Sequence, residues 1–192
     1  MNTKALGLAL AASLIASVPA AAQDWSGFYA GVYAGNISGD WQHLNPDGSV
    51  YNSGPYSSDR IAGAFAGYNL QRGNMVYGGE LAAGRSGDFC FEEFPPECTD
   101  TFVDLKGRVG YSTGSVLVYG VLGVSRAVYH NGTDDFTLSG LAYGLGVDYA
   151  ITDRFFAGGE VLRRNLDNDE FLGTLATEHD VTTVTVRLGM KF

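Results

Sequence analysis

The chain has little lysine, little cysteine and, past its first 22 residues, no long apolar run. Three lysines stand among 192 residues, and 12 basic residues face 21 acidic ones, for a net charge of −9. That balance excludes the broad basic face that nucleic-acid binding requires. Cys90 and Cys98 have neither a histidine nor a second cysteine pair near them in sequence, which argues against a zinc site. Beyond residue 22, no apolar stretch approaches the ~20 residues that a membrane helix needs. Any membrane span must then be a closed barrel, because only helices and barrels satisfy every backbone group in lipid. The residues that are abundant fit such a structure: 27 glycines, 11 tyrosines and 11 phenylalanines, with few helix formers in sequence.

Residues 1–22 are a segment apart. Lys4 precedes an apolar run over 5–18, and Ala20 and Ala22 supply small residues two apart. The pattern reads as a secretory signal peptide cut between Ala22 and Gln23, too short and wrongly flanked for a spanning helix. Removing 22 of 192 residues leaves 170, read as one domain over 23–192, and losing Lys4 takes the net charge from −9 to −10.

Residues 181–192 show the organising pattern. Thr182, Val184, Val186, Leu188, Met190 and Phe192 form one face; Thr183, Thr185, Arg187, Gly189 and Lys191 form the other. An apolar face opposite a polar one at period two is a half-buried strand. Seven further segments alternate in the same way, over 25–37, 60–70, 75–85, 102–111, 116–128, 138–150 and 154–165. The stretch 116–128 is apolar on both faces, so its orientation stays open. The connections after the second, fourth and sixth segments are short, around 71–74, 112–115 and 151–153; the others, around 38–59, 86–101, 129–136 and 167–180, are long and polar. Sorting long and short connections to opposite ends is what an outer-membrane barrel does. The segments also match the ~9–11 residues that a tilted strand needs to cross a bilayer.

Short words in order along the chain strengthen that reading. They are Trp25-Ser26-Gly27-Phe28-Tyr29-Ala30-Gly31, Gly67-Tyr68-Asn69, Gly79-Glu80, Lys106-Gly107-Arg108-Val109-Gly110-Tyr111, Gly146-Val147-Asp148-Tyr149-Ala150-Ile151-Thr152 and Arg187-Leu188-Gly189-Met190-Lys191-Phe192. In them the chain resembles the small eight-stranded outer-membrane β-barrels, the porin-like surface antigens of alphaproteobacteria and the barrel domain of outer membrane protein A. The resemblance implies an all-β, eight-stranded, antiparallel up-and-down transmembrane β-barrel in a bacterial outer membrane. Both termini would be periplasmic and four loops would face out, with no periplasmic domain after the last strand. Its partners would be outer-membrane lipid and, through a C-terminal strand ending in Phe192, the barrel assembly machinery. A surface ligand at the outer loops is left open, and no cofactor is implied.

An eight-stranded barrel is only wide enough to be filled by side chains. Strand parity directs Arg60, Glu80, Asp104, Lys106, Arg108, Asp148, Glu160, Arg164, Arg187 and Lys191 inward. Such charges must form pairs and networks. Outer membrane protein A holds two acids and two bases in its lumen; by motif, three of those positions fall on Glu80, Arg108 and Asp148. The fourth, a base, falls on Gly158, so one acid needs another partner among Lys106, Arg164 and Arg187. The cluster is a gate or narrow ion path on one reading and a structural plug on the other; the strand count favours the plug.

Catalysis finds little support. His43, His130 and His179 all fall in or beside the long connections and read as solvated loop residues. Glu178 and Asp180 flank His179, so a hydrolytic site at the rim would be lost on His179→Ala. Asn165, Asp167 and Asp169 begin like a calcium loop, but Glu170 stands where such a loop needs glycine. Two cysteines in an exported chain imply a Cys90–Cys98 disulfide, two free thiols being the alternative. The loop they would close is either a surface knob for a partner or a staple against proteases. The function expected is a non-enzymatic structural, surface-exposed envelope protein with a plugged lumen. The alternatives are a porin-like narrow channel for small solutes and an adhesin or receptor acting through its loops.

Overall fold

The computed structural model describes residues 23–87, 90–91, 97–131, 134–168 and 176–192, with side chains outside 88–100, 129–136 and 168–176. The leader, the Cys90 and Cys98 side chains, the His130 side chain and Asp169 therefore lie outside the described residues.

Eight long strands form the wall: β1 (Gly27–Leu44), β3 (Asp59–Arg72), β4 (Met75–Ser86), β6 (Glu97–Ser112), β7 (Val116–Asn131), β8 (Asp134–Ala150), β9 (Phe155–Asn168) and β10 (Ala176–Lys191). Each pairs antiparallel with its neighbour in the chain, and β10 pairs back onto β1, from Tyr29 opposite Lys191 to Leu44 opposite Ala176. Closure leaves no edge in the wall. Two short strands are added at the long-loop end: β2 (Val50–Pro55) on β1, and β5 (Cys90–Phe91) on β6. At the other end the turns are tight, with Gly73 and Gly114 at φ of 60° and 82°, where a side chain would be strained.

Alternation explains the wall. On β10, Val184, Val186 and Leu188 face outward and are exposed, as is Phe192 just beyond its end, while Thr183, Arg187 and Gly189 face inward and are buried. The same period runs through every long strand, and the outward side chains make one apolar band. Towards the short turns the band is aromatic: Phe28, Tyr68, Tyr77, Tyr111, Tyr149, Phe155 and Phe192 are all exposed. Towards the long loops it stops along one level, where Asn36, Arg60, Arg85, Thr101, Arg126, Ser139, Arg163 and Thr182 are the first outward residues to be polar or charged. The strand 116–128 takes one definite orientation, with Leu117, Tyr119, Val121, Ser125 and Ala127 inward and Val118, Leu122 and Val124 outward.

Expectations about three connections and one side chain need correcting, and the connection around 129–136 is almost all strand, because β7 runs to Asn131 and β8 begins at Asp134. The connection 38–59 is mostly strand, because β1 runs on to Leu44 and β2 folds back on it. β9 runs to Asn168 and β10 begins at Ala176, so half of the connection expected over 167–180 is also paired backbone. Arg60 faces outward and is exposed: it shares parity with Ala62, Ala64 and Ala66 on the lipid side. It lies just past the end of the apolar band, where charge meets water and headgroups at little cost.

The lumen is packed in two layers. One, nearer the short turns, combines Trp25, Tyr29, Phe65, Tyr119 and Phe156 with buried charge. Inward glycines make room for its rings: a Cβ on Gly67, Gly146 or Gly189 would lie within 2.4 Å of Tyr29, Tyr119 or Phe156. The other layer, under the long loops, is Ile37, Trp41, Tyr56, Ile61, Phe102, Leu138, Leu166 and Val181.

Candidate functional site

Eight charged side chains are buried inside the barrel: Glu80, Asp104, Asp148 and Glu160 against Lys106, Arg108, Arg164 and Arg187. Four acids and four bases make the described lumen neutral. Each reaches the interior because its strand position is inward, and all but Arg164, one residue past the end of the band on β9, lie at the level where the wall outside is apolar. Lys106 stands opposite Glu80 on adjacent strands, so their pairing follows from register. Its Nζ lies 3.0 Å from Glu80 Oε1 and 2.5 Å from Glu160 Oε1. Arg108 reaches Asp148 at 2.8 Å and the Tyr29 hydroxyl at 3.0 Å, and its guanidinium lies 3.8 Å from the Tyr119 ring centre. Arg187 reaches Glu80 at 2.6 Å, Glu160 at 3.1 Å and Asp148 at 3.5 Å. Arg164 forks onto Asp104 across the lumen, at 2.9 Å from Nε and 2.7 Å from Nη2.

Arg187 answers the question that Gly158 raises. The two are opposite each other in the β9–β10 register. A Cβ at Gly158 would lie 2.2 Å from Asp148 Oδ1 and 2.4 Å from the Val147 carbonyl. No side chain fits there, and the base that serves Glu80 and Asp148 comes from the neighbouring strand instead. Lys191, expected inside, sits half-buried at the short-turn rim, where Nζ donates to the Asp24 carbonyl at 2.6 Å and stands over the Trp25 ring. Trp25 closes that end of the barrel, donating from Nε1 to the Gly114 carbonyl at 3.1 Å.

Among the described residues, the space left within the ionic layer is small. A cavity of about 20 Å³ lies among Tyr33, Glu80, Asp104, Lys106, Arg164 and Arg187. One water needs roughly 10–15 Å³, so this is room for about one.

The histidines divide. His43 and His179 lie on strands, β1 and β10, and not in loops. His179 is buried at 6% exposure, which corrects its reading as a solvated residue. Its Nδ1 is hydrogen-bonded to the Tyr56 hydroxyl, and His43 Nδ1 lies 3.1 Å from Thr177 Oγ1. Both sit beyond the apolar band. Burial, helped by the nearby His43, holds the His179 imidazole down to about 4, so it is neutral at ordinary pH. Glu178 and Asp180 face away from it, as residues i±1 on a strand must: Glu178 accepts from Gln42 at 2.5 Å and Asp180 from Arg163 at 2.8 Å. The flanking acids therefore do not orient His179. Sequence order suggested a grouping that strand geometry separates. Among the described residues there is no cluster of three or more metal-binding side chains.

Comparisons with known proteins agree on one kind of molecule. The family model described as "Outer membrane protein beta-barrel domain" matches residues 7–192. The chain is 28% identical to a 22 kDa outer membrane protein of Rhizobium leguminosarum bv. viciae over 168 residues, 81% of this chain and 80% of that protein. It is 30% identical to a 25 kDa outer-membrane immunogenic protein of Brucella abortus over 141 residues, 70% of this chain and 66% of that one. The solved structure of the outer membrane protein OprG from Pseudomonas aeruginosa superposes with a TM-score of 0.54 at 17% identity, covering 88% of this chain and 98% of that one.

Proposed function

We propose, from the premise that the chain belongs to the outer membrane protein β-barrel family, that it is a non-enzymatic structural and surface-exposed component of the envelope whose lumen is plugged by side chains. It resides in the outer membrane. The observation that carries the reading is the neutral ion-pair layer with a cavity of about 20 Å³. A hydrated ion would have to displace Arg187 or Arg164 from buried carboxylates, and breaking such a pair costs about 3–5 kcal/mol. On this reading the long connections lie at the cell surface, and residues 1–22 direct export.

Phe192 is exposed on the lipid face within the aromatic end of the band, which suits a strand recognised by the assembly machinery. Cys90 lies opposite Cys98 in the β5–β6 register, which suits a disulfide between them.

Single-channel recording of the refolded protein in planar bilayers tests the plug, with Arg108→Ala beside it. The expected result is no regular steps in either protein. Uniform steps that change with Arg108→Ala would make the lumen a path and replace this reading with that of a narrow channel.

A further inference from the structure

Residues 23–26 precede β1 and are not part of the wall. Gly27, at a φ of 116°, turns the chain from the wall across the short-turn opening, a conformation that glycine adopts without strain. The segment then meets every element at that end. The Trp25 N–H donates to Gln71 Oε1 at 2.8 Å, and the Gln71 N–H donates to Ser26 Oγ at 3.0 Å, at the end of β3. The Trp25 indole donates to the Gly114 carbonyl in the β6–β7 turn and packs edge-on against Phe156 of β9. Gln23 Nε2 donates to the Asp153 carbonyl in the β8–β9 turn at 3.3 Å. Lys191, the last residue of β10, donates to the Asp24 carbonyl and stands over the Trp25 ring. Residues 23–26 thus tie all three short turns to the final strand.

These partners lie between 45 and 167 residues away along the chain. What brings them together is closure of the wall. β1 and β10 are its first and last strands, and their seam runs from Tyr29 opposite Lys191, with the Phe192 N–H donating to the Phe28 carbonyl at 2.9 Å. Joining the two ends of the chain carries a larger loop-closure cost than forming any hairpin. In an unclosed sheet, at ~4.8 Å per strand, β10 would lie seven spacings, about 34 Å, from β1. The β6–β7 turn lies between the fourth and fifth strands counted around the wall from β1, on the far side of the opening. Trp25 meets both only when the cylinder is complete.

We propose that residues 23–26 are a latch: they set across the short-turn opening after β1 and β10 have met, and they hold the closed barrel against parting at that seam. The ion pairs fill the lumen; the latch fastens its ends. An interaction that forms after the transition state slows unfolding and leaves the folding rate alone. The latch is independent of whether the lumen conducts, and it takes residues 1–22 as removed on export.

The chain 23–192 in lipid vesicles tests the latch through its unfolding and refolding rates in urea, read from the mobility of the unheated protein on a gel. Trp25→Ala is expected to speed unfolding about a hundred-fold, the scale of truncating a buried tryptophan, and to change refolding by less than about two-fold. Lys191→Met frees the segment from β10 and leaves Trp25 in place. It should speed unfolding about five-fold, again with refolding unchanged, and it carries the test if Trp25→Ala does not refold. In Trp41→Phe, Trp25 is the one tryptophan left. Its emission should move to the blue together with the mobility change or after it. Refolding slowed as much as unfolding is speeded, or a Trp25 shift that precedes the mobility change, would place the segment before closure and overturn the proposal. An unfolding rate that neither substitution alters would overturn it as well.

Discussion

Arg163 and Arg164 are neighbours in the chain, and each holds an aspartate. Arg163 meets Asp180 at 2.8 Å with both side chains nearly half exposed; Arg164 meets Asp104 at 2.7 Å with both about 2% exposed. Their separation comes only from the alternation of a strand. The distances are almost the same, yet the two pairs differ in what surrounds them. Around Asp104 the packed lumen leaves room for about one water and no bulk solvent, so the loss of its arginine strands the charge. Around Asp180 water and headgroups offer the charge another home. Geometry alone therefore does not rank ion pairs in this protein; the side of the wall does.

Breaking the inner pairs should have the largest effect. Arg187 touches three carboxylates, so Arg187→Met is expected to cost the upper part of the range of about 3–5 kcal/mol that removing one member of a buried pair costs. Guanidinium unfolding in lipid vesicles measures it, and a loss below about 1 kcal/mol would mean that water already reaches the layer. Arg164→Met should cost about 3–4 kcal/mol for the same reason. The double variant Arg164→Met/Asp104→Leu sharpens the point, because an apolar pair of similar volume leaves no stranded charge. It should recover most of the loss, and a double variant as unstable as the sum of the singles would contradict the coupling.

Much of this contrast was legible in the sequence, and its gaps have physical causes. Inside the lipid band the wall separates two unlike media, so alternation exposes strand, face and inward charge, as on 181–192 and 102–111. Where both sides want apolar residues, as on β7, parity is mute: Tyr119 and Val121 pack the lumen while Val118 and Leu122 face lipid. Above the band the outer face turns polar and the strands pass for loops, although Trp41 and Val181 still point into a core. Arg60 was counted inward by strand parity, yet its parity is that of Ala62, Ala64 and Ala66, which face out. Pairing across the lumen, such as Arg164 with Asp104 on non-adjacent β9 and β6, depends on how the closed sheet staggers, and no local pattern carries that. The fourth base had a signal in hindsight: Gly158 lies opposite Arg187, so the missing side chain and its replacement share one space.

Next in size is an effect confined to the outer layer. His179 is neutral and buried, its value held down to about 4 from an ordinary 6.5. Below pH 6.5 the opened rim takes up a proton that the closed rim refuses, so stability is lost as pH falls from 6.5 to about 4 and then levels off. The full loss is roughly 3 kcal/mol. Protection of the β10 amides at 177–182 against hydrogen exchange, measured relative to the intrinsic rate at each pH, should fall over that window, while protection of those at 184–190, beside the ionic layer, should not. His179→Gln should abolish the slope; an unchanged slope would assign it to another group.

The smallest effect should come from the outer arginine. Arg163→Gln removes a pair of the same length as the one that Arg164 makes, at a place where water replaces the lost partner. Its cost should stay below about 1 kcal/mol, the range of exposed pairs, and should shrink further with added salt, which screens exposed charges and leaves buried ones alone. The same unfolding assay that reads Arg164→Met reads this variant. A loss equal to that of Arg164→Met, and insensitive to salt, would mean that lipid headgroups shield Asp180 as fully as the lumen shields Asp104. The wall would then no longer divide the two pairs.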